Sequence, residues 1–121
     1  MNIKVYRYEV ETSLGYHPGP YTAHRIFGRT SGYFELCSKM IPAHGKGYHP
    51  SIRIDINNFD GHFCACQSPE QLRQWFKGYN AGLKRLGFKI YEYTLSEQIK
   101  GKSGLQIGFK QEWVISKILI G

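Results

Sequence analysis

The sequence is poor in cysteine and has no long apolar run, and these two shortages exclude several classes of protein. It contains three cysteines, an odd number at uneven spacings, which is not the pattern of a secreted domain held together by disulfides. No apolar stretch approaches the roughly 20 residues that a membrane-spanning helix needs. The opening residues alternate like a strand and lack the apolar segment of a secretion signal. We therefore expect a cytoplasmic protein that makes no membrane contact.

Acidic residues are also scarce. There are 9 Asp and Glu against 16 Lys and Arg, which gives a net charge of +7 and an isoelectric point near 9.4. A basic surface attracts anionic partners such as nucleic acid, nucleotides or acidic proteins, although the same charge also serves solubility alone. The basic residues are scattered along the chain, so a polybasic tail is excluded.

The apolar content is high enough for a core, with 41% hydrophobic and 15% aromatic residues in 121 positions. This length and composition predict one compact domain over 1–121. Alternating apolar patterns predict strands, which we place at 4–10, 51–57, 62–66, 88–95, 105–109 and 113–120. Together with the helices, these strands predict an α+β fold with a mixed or antiparallel twisted sheet.

One amphipathic helix has the strongest local signal and is predicted over about 68–86. Ser68 is a good N-cap, Pro69 suits the first helical position and Gln71 completes a capping box. Apolar side chains then recur at helical spacing. The second half contains two glycines that weaken a helix, Gly78 and Gly82. A second, short helix is predicted over about 22–40, after a loop rich in Gly and Pro.

His62, Cys64 and Cys66 are spaced so that a strand would put all three side chains on one face. Such a set could bind zinc, with His44 or His49 as a fourth ligand. Cys64 or Cys66 could also act as a nucleophile with a histidine as base, and the start of the following helix would lower the pKa of the Cys66 thiol. The spacing is unusual for zinc, and cysteine is common in apolar cores. We therefore predict core packing and assign no metal ligand and no catalytic residue.

Two loops rich in Gly and Pro, at 15–21 and 45–50, combine aromatic residues with a histidine and a restrained backbone. This mixture suits a base or nicotinamide ring stacked on a loop tyrosine, with phosphate near Lys46 and exposed backbone amides. The alternative is that both are ordinary surface loops that cover the sheet.

Several motifs along most of the chain resemble a set of small uncharacterised proteins of bacteriophage and prophage origin. The most specific is the run Ser-Pro-Glu-Gln-Leu-Arg-Gln-Trp-Phe at 68–76. The others are Tyr6-Arg7, Glu9, Gly19-Pro20-Tyr21, His49-Pro50, Asp55 and Gln106-x-x-Phe109. The resemblance implies a viral or mobile-element protein and implies no particular activity.

Three positions also resemble, more loosely, the ADP-ribosyltransferase fold. Arg7 lies on the opening strand, Ser68 opens a helix after a strand, and Gln106 lies on a late strand. The resemblance implies that the first holds the ribose or phosphate of NAD and that the second shapes the nicotinamide pocket. In that family the third position is a glutamate that supports transfer. Because Gln106 carries no charge, we expect binding rather than catalysis and predict no resident cofactor.

We therefore predict a phage counter-defence protein of the host-cell cytoplasm that sequesters a nucleotide-derived ligand, such as an ADP-ribose compound or a cyclic nucleotide. Two alternatives remain open: an inhibitor that binds a host defence protein or nucleoprotein, as anti-CRISPR proteins do, and an ADP-ribosyltransferase-like enzyme that uses NAD. Nucleic acid as a partner and a homo-oligomeric state also stay open. The predicted ligand-binding residues are Arg7, Tyr21, Lys46, His49, Ser68 and Gln106.

Overall fold

The computed structural model describes residues 3–13, 17–28, 31–43 and 62–121. The predicted strand at 51–57 and the predicted site residues Lys46 and His49 lie outside the described residues. The described α-helices and β-strands are, in chain order, β1 Ile3–Glu9, α1 His24–Phe27, α2 Gly32–Ala43, β2 Phe63–Ala65, α3 Pro69–Trp75, α4 Asn80–Arg85, β3 Lys89–Leu95, β4 Ile99–Lys100, β5 Ile107–Phe109 and β6 Val114–Leu119. A 3-10 helix at Gln111–Trp113 leads into β6. Helices and antiparallel sheets together make an α+β fold, as the sequence predicts.

The described strands form two three-stranded antiparallel sheets, β1-β3-β6 and β2-β5-β4. An isolated bridge joins them, in which Tyr6 and Cys66 exchange backbone hydrogen bonds of 2.8 Å in both directions. Alternation along β1 sends Val5 into a core shared with the second sheet and Tyr8 into a core shared with the helices. The first sheet is therefore covered on one face by the helices and on the other by the second sheet.

A turn at 76–79 divides the predicted helix over 68–86 into α3 and α4. Gly78 lies in this turn with φ +90°, a conformation that residues with a Cβ rarely adopt. Leu72 of α3 and Leu83 of α4 are buried in the same core. The turn thus redirects the chain while both short helices keep an apolar face inward.

The region predicted as a second helix at 22–40 contains α1 and α2, which are separated near Gly28. The second of them continues to Ala43. Among the described residues, no helix has both the length and the apolar character that crossing a membrane requires.

The start of α3 has the capping that the sequence predicts. The Ser68 hydroxyl oxygen accepts a hydrogen bond of 3.0 Å from the backbone N–H of Gln71. The side-chain oxygen of Gln71 accepts one of 2.9 Å from the backbone N–H of Gln67. Two backbone donors at the helix start are thereby satisfied within the chain.

We predict that Ser68→Ala lowers the free energy of unfolding by about 1 kcal/mol, because the Gln71 amide loses its acceptor. The variant Ser68→Asp should retain most of the stability, since a carboxylate accepts the same bond and interacts favourably with the positive helix end. Urea denaturation of both variants and the parent chain measures the difference. Equal losses in the two variants would show that Ser68 is needed for something other than capping.

Candidate functional site

A buried carboxylate, that of Glu9, gathers several polar side chains around it. Glu9 is 2% exposed. Its Oε2 lies 3.0 Å from Arg7 Nε and accepts a hydrogen bond from the Tyr93 hydroxyl, and its Oε1 lies 2.5 Å from Lys117 Nζ. Moving a carboxylate out of water costs several kcal/mol unless partners compensate for the lost hydration. These groups, together with His17, are called the Glu9 cluster below.

Strand register brings the cluster together although its members lie far apart in the chain. Arg7 and Glu9 alternate on β1 and therefore point to the same face of the sheet. Tyr93 on β3 lies opposite Lys117 on β6, and Arg7 lies opposite Tyr91. Three neighbouring strands thus supply the cluster from one face. Tyr93 and Lys117 lie level with Val5 in the register, and their long side chains extend along the sheet to Glu9.

The loop after β1 completes the cluster. His17 Nδ1 lies 3.9 Å from Glu9 Oε1 and 3.5 Å from Lys117 Nζ. Gly19 allows this close approach, because a Cβ at that position would lie 2.8 Å from Arg7 Nη2. A larger residue at position 19 would therefore have to displace the guanidinium or the loop.

A cavity of about 340 Å³ lies beside the carboxylate. Arg7 Cζ is 5.2 Å from the centre of the Phe63 ring, and Lys117 Nζ is 5.5 Å from the centre of the Tyr93 ring. Attraction between a cation and a ring face adds to the ion pairs that hold both basic side chains. The residues that line the cavity are Glu9, His17, Phe63, Tyr93, Gln111, Val114 and Lys117.

The charges of the cluster favour an anionic ligand. The Glu9 carboxylate faces the cations of Arg7 and Lys117, so one positive charge is in excess. Among the described residues, Glu9 Oε1 and Arg7 Nε have ion-pair contacts but no hydrogen bond of normal geometry. Burial raises the pKa of Tyr93, and its hydrogen bond to Glu9 raises it further. Tyr93 therefore remains a protonated donor at neutral pH.

A family model described as Bacteriophage T4 Y00F protein matches residues 1–117. The chain belongs to this family. The predicted origin in a small phage protein family is confirmed, and the matched residues include the whole Glu9 cluster. Searches of the curated proteins and of the solved structures found no match. The resemblance to the ADP-ribosyltransferase fold therefore gains no support from them.

Four of the predicted ligand-binding residues lie in the described part of the chain, and of these Arg7 belongs to the Glu9 cluster of this Y00F family member. Tyr21, Ser68 and Gln106 are not in the lining of the cavity. The Tyr21 hydroxyl accepts a hydrogen bond of 2.8 Å from the Trp75 indole N–H, Ser68 caps α3, and Gln106 is 5% exposed. Contact of these three with a ligand stays a prediction.

Glu9, Tyr93 and Lys117 were not among the residues predicted to bind a ligand. Two signals in the sequence point towards them. Arg7 and Glu9 occupy alternate positions of a strand whose same face also carries Val5, and Lys117 is the one charged residue within 114–120. A charge in an apolar strand indicates a buried partner, but which partner it finds depends on strand register.

Cys66 lies in the apolar core and does not have the acidic thiol that its position in the sequence suggested. Burial raises its pKa to about 12, and the neighbouring Cys64 adds to the rise. The alternative of a thiol pKa lowered by the helix end is wrong, because α3 has only seven residues and desolvation outweighs its dipole, whereas the predicted core packing of Cys66 is confirmed. In the described part of the chain, His62, Cys64 and Cys66 do not form a metal-binding group.

We predict that Glu9→Gln lowers the free energy of unfolding by about 3–5 kcal/mol, because the buried Arg7 cation then faces a neutral amide. The matched control is Glu35→Gln on α2, whose ion pair with Lys39 is exposed and contributes about 0.5 kcal/mol or less. Urea denaturation at neutral pH compares the two. Similar losses would contradict a buried charge cluster at Glu9.

Cys66 should also lower the stability of the protein in alkali. The folded pKa of about 12 lies above the unfolded value of about 8.5. The contribution of Cys66 is therefore complete below about pH 8.5 and is lost as the pH rises towards 12, by up to about 1.4 kcal/mol per pH unit. Urea denaturation between about pH 9 and 11 should show a shallower decline for Cys66→Ala than for the parent chain. Parallel declines would exclude this contribution.

Proposed function

We propose that the chain binds a small nucleotide-derived anion in the cavity beside Glu9 and, during phage infection, withholds it from the host cell. The observation that carries the proposal is the composition of the cavity wall, in which Lys117 and His17 lie beside aromatic rings, with the buried Arg7 guanidinium paired to the Glu9 carboxylate. A nucleotide presents the matching groups, since it combines phosphate, hydroxyl donors and a planar base. Membership of a phage family supports the counter-defence role.

The charged side chains of the cluster differ in exposure, and this difference separates those that support the site from those that can contact a ligand. The side chains of Arg7 and Glu9 are 9% and 2% exposed, whereas those of His17 and Lys117 are 27% and 30% exposed. The first pair is therefore fixed in the interior, and the second pair can meet a ligand. Because the surroundings are partly desolvated, attraction between Lys117 and a phosphate is stronger than it would be in open water.

The size and walls of the cavity suit a single nucleotide unit. A volume of about 340 Å³ lies at the lower end of the roughly 300–1,000 Å³ typical of small-molecule sites. The rings of Phe63 and Tyr93 provide apolar surface for a base.

The experiment that tests the proposal measures whether the protein binds candidate ligands intact or cleaves them. The purified protein is incubated with NAD, ADP-ribose and a panel of cyclic nucleotides, and mass spectrometry then analyses both the free solution and the material released on denaturation. Intact ligand that appears only after denaturation supports sequestration. Cleaved NAD would instead support a transferase-like enzyme. A panel that is neither bound nor changed would overturn the proposal and favour an inhibitor of a host protein.

We predict that His17→Ala and Lys117→Ala each weaken binding of the ligand recovered from the panel by about 10- to 100-fold. This corresponds to the loss of one charge-assisted hydrogen bond. His17→Ala leaves the Arg7 and Lys117 contacts of Glu9 in place, so it separates ligand contact from folding. Lys39→Ala, on the exposed surface of α2, should leave the affinity unchanged. Isothermal titration calorimetry measures all three, and an equal loss in the Lys39 variant would point to non-specific charge attraction.

A further inference from the structure

Strand β6 lies at the edge of the first sheet and exposes an unusual amount of apolar surface. In the order β1-β3-β6 it has one neighbour among the described strands. Its large side chains are exposed by 58% at Ile115, 52% at Ile118 and 53% at Leu119, and Ile120 beyond its end is 43% exposed. Exposed apolar edge strands tend to pair with another strand.

Charge does not protect this edge. Proteins commonly guard an edge strand with lysines that point outward, but the Lys117 amine is drawn inward to 2.5 Å from Glu9 Oε1. The whole chain carries a net charge of +7, so two copies repel each other over most of their surfaces. Strand β6 instead exposes apolar side chains on both faces, with Ile118 on one face and Leu119 on the other.

The hydrogen-bond pattern fixes which backbone groups of β6 point outward. Ile120 N–H donates to the carbonyl oxygen of Ile90 on β3, and the register between the two strands is regular from Ser116 onward. Alternation then directs the N–H and C=O groups of Ser116 and Ile118 towards β3. Those of Lys117 and Leu119 point away from β3, and no strand among the described residues pairs with them.

We propose that a second copy of the chain pairs with β6 as an antiparallel strand, with the two-fold axis at Ile118. In this register Ile118 faces Ile118 of the partner subunit, and Lys117 and Leu119 exchange backbone hydrogen bonds with Leu119 and Lys117 of the partner subunit. An axis at Lys117 would instead place two lysines directly opposite each other, which is unfavourable. The result is a continuous six-stranded sheet with closed two-fold symmetry.

The proposed register can be tested by cross-linking, because it predicts which residues of the two copies lie close enough to form a disulfide. Residues of a non-hydrogen-bonded antiparallel pair have Cα atoms about 4.5 Å apart, within the range of about 4.4–6.8 Å that a disulfide spans. Ile118→Cys should therefore form a covalent dimer under mild oxidation. The matched control Ser116→Cys lies on the same face, but its symmetry mate would be roughly 14 Å away. It should form no disulfide dimer, and neither should the parent chain with its three native cysteines.

Sedimentation of the unmodified chain provides the second measurement. At concentrations on the order of 100 µM the mass should be twice the 14.0 kDa of one chain. Ile118→Lys, which places two charges at the axis, should restore the monomer without changing the circular dichroism spectrum. A monomeric parent chain, or cross-linking of Ser116→Cys as fast as of Ile118→Cys, would overturn the proposal. Both measurements are made without added ligand, so failure of this proposal is distinguishable from failure of the proposed function.

Discussion

The burial of the Glu9 carboxylate is the constraint on which the first sheet and its site depend. A charge that is 2% exposed must be compensated within contact distance, and here the compensating groups come from all three strands. This matters most for β6, whose side chains are largely exposed. With little apolar burial of its own, β6 is held by its hydrogen bonds to β3 and by the pair between Lys117 and Glu9.

The cavity lies where the two sheets meet, and this explains its mixed chemistry. Phe63 comes from the second sheet and Tyr93 from the first, and both belong to the apolar core between the sheets. Glu9 brings a charge to the end of that core, where the loop carrying His17 closes over it. A site between two sheets has strands on both sides, and strands hold functional side chains in position more accurately than loops do.

The two proposals meet on β6, because Lys117 faces the cavity while the outer backbone edge of the same residue faces the second copy. A ligand that draws the Lys117 amine away from Glu9 changes the charge beside the pairing edge. By thermodynamic linkage, pairing would then change the affinity for the ligand by the same factor. The strand that depends most on the buried carboxylate is thus also the strand through which the cavity and the partner copy would influence each other.

Local signals in the sequence were sufficient for the α+β class, for the approximate positions of the described strands other than β4, and for the start of α3 at Ser68, because each rests on neighbouring residues alone. The pKa of Cys66 could not be predicted in this way, since burial by distant residues outweighed the nearby helix end. The Glu9 cluster could not be predicted from local signals either. Its members Arg7, Tyr93 and Lys117 meet only through strand register, and that register is decided by the packing of the whole sheet.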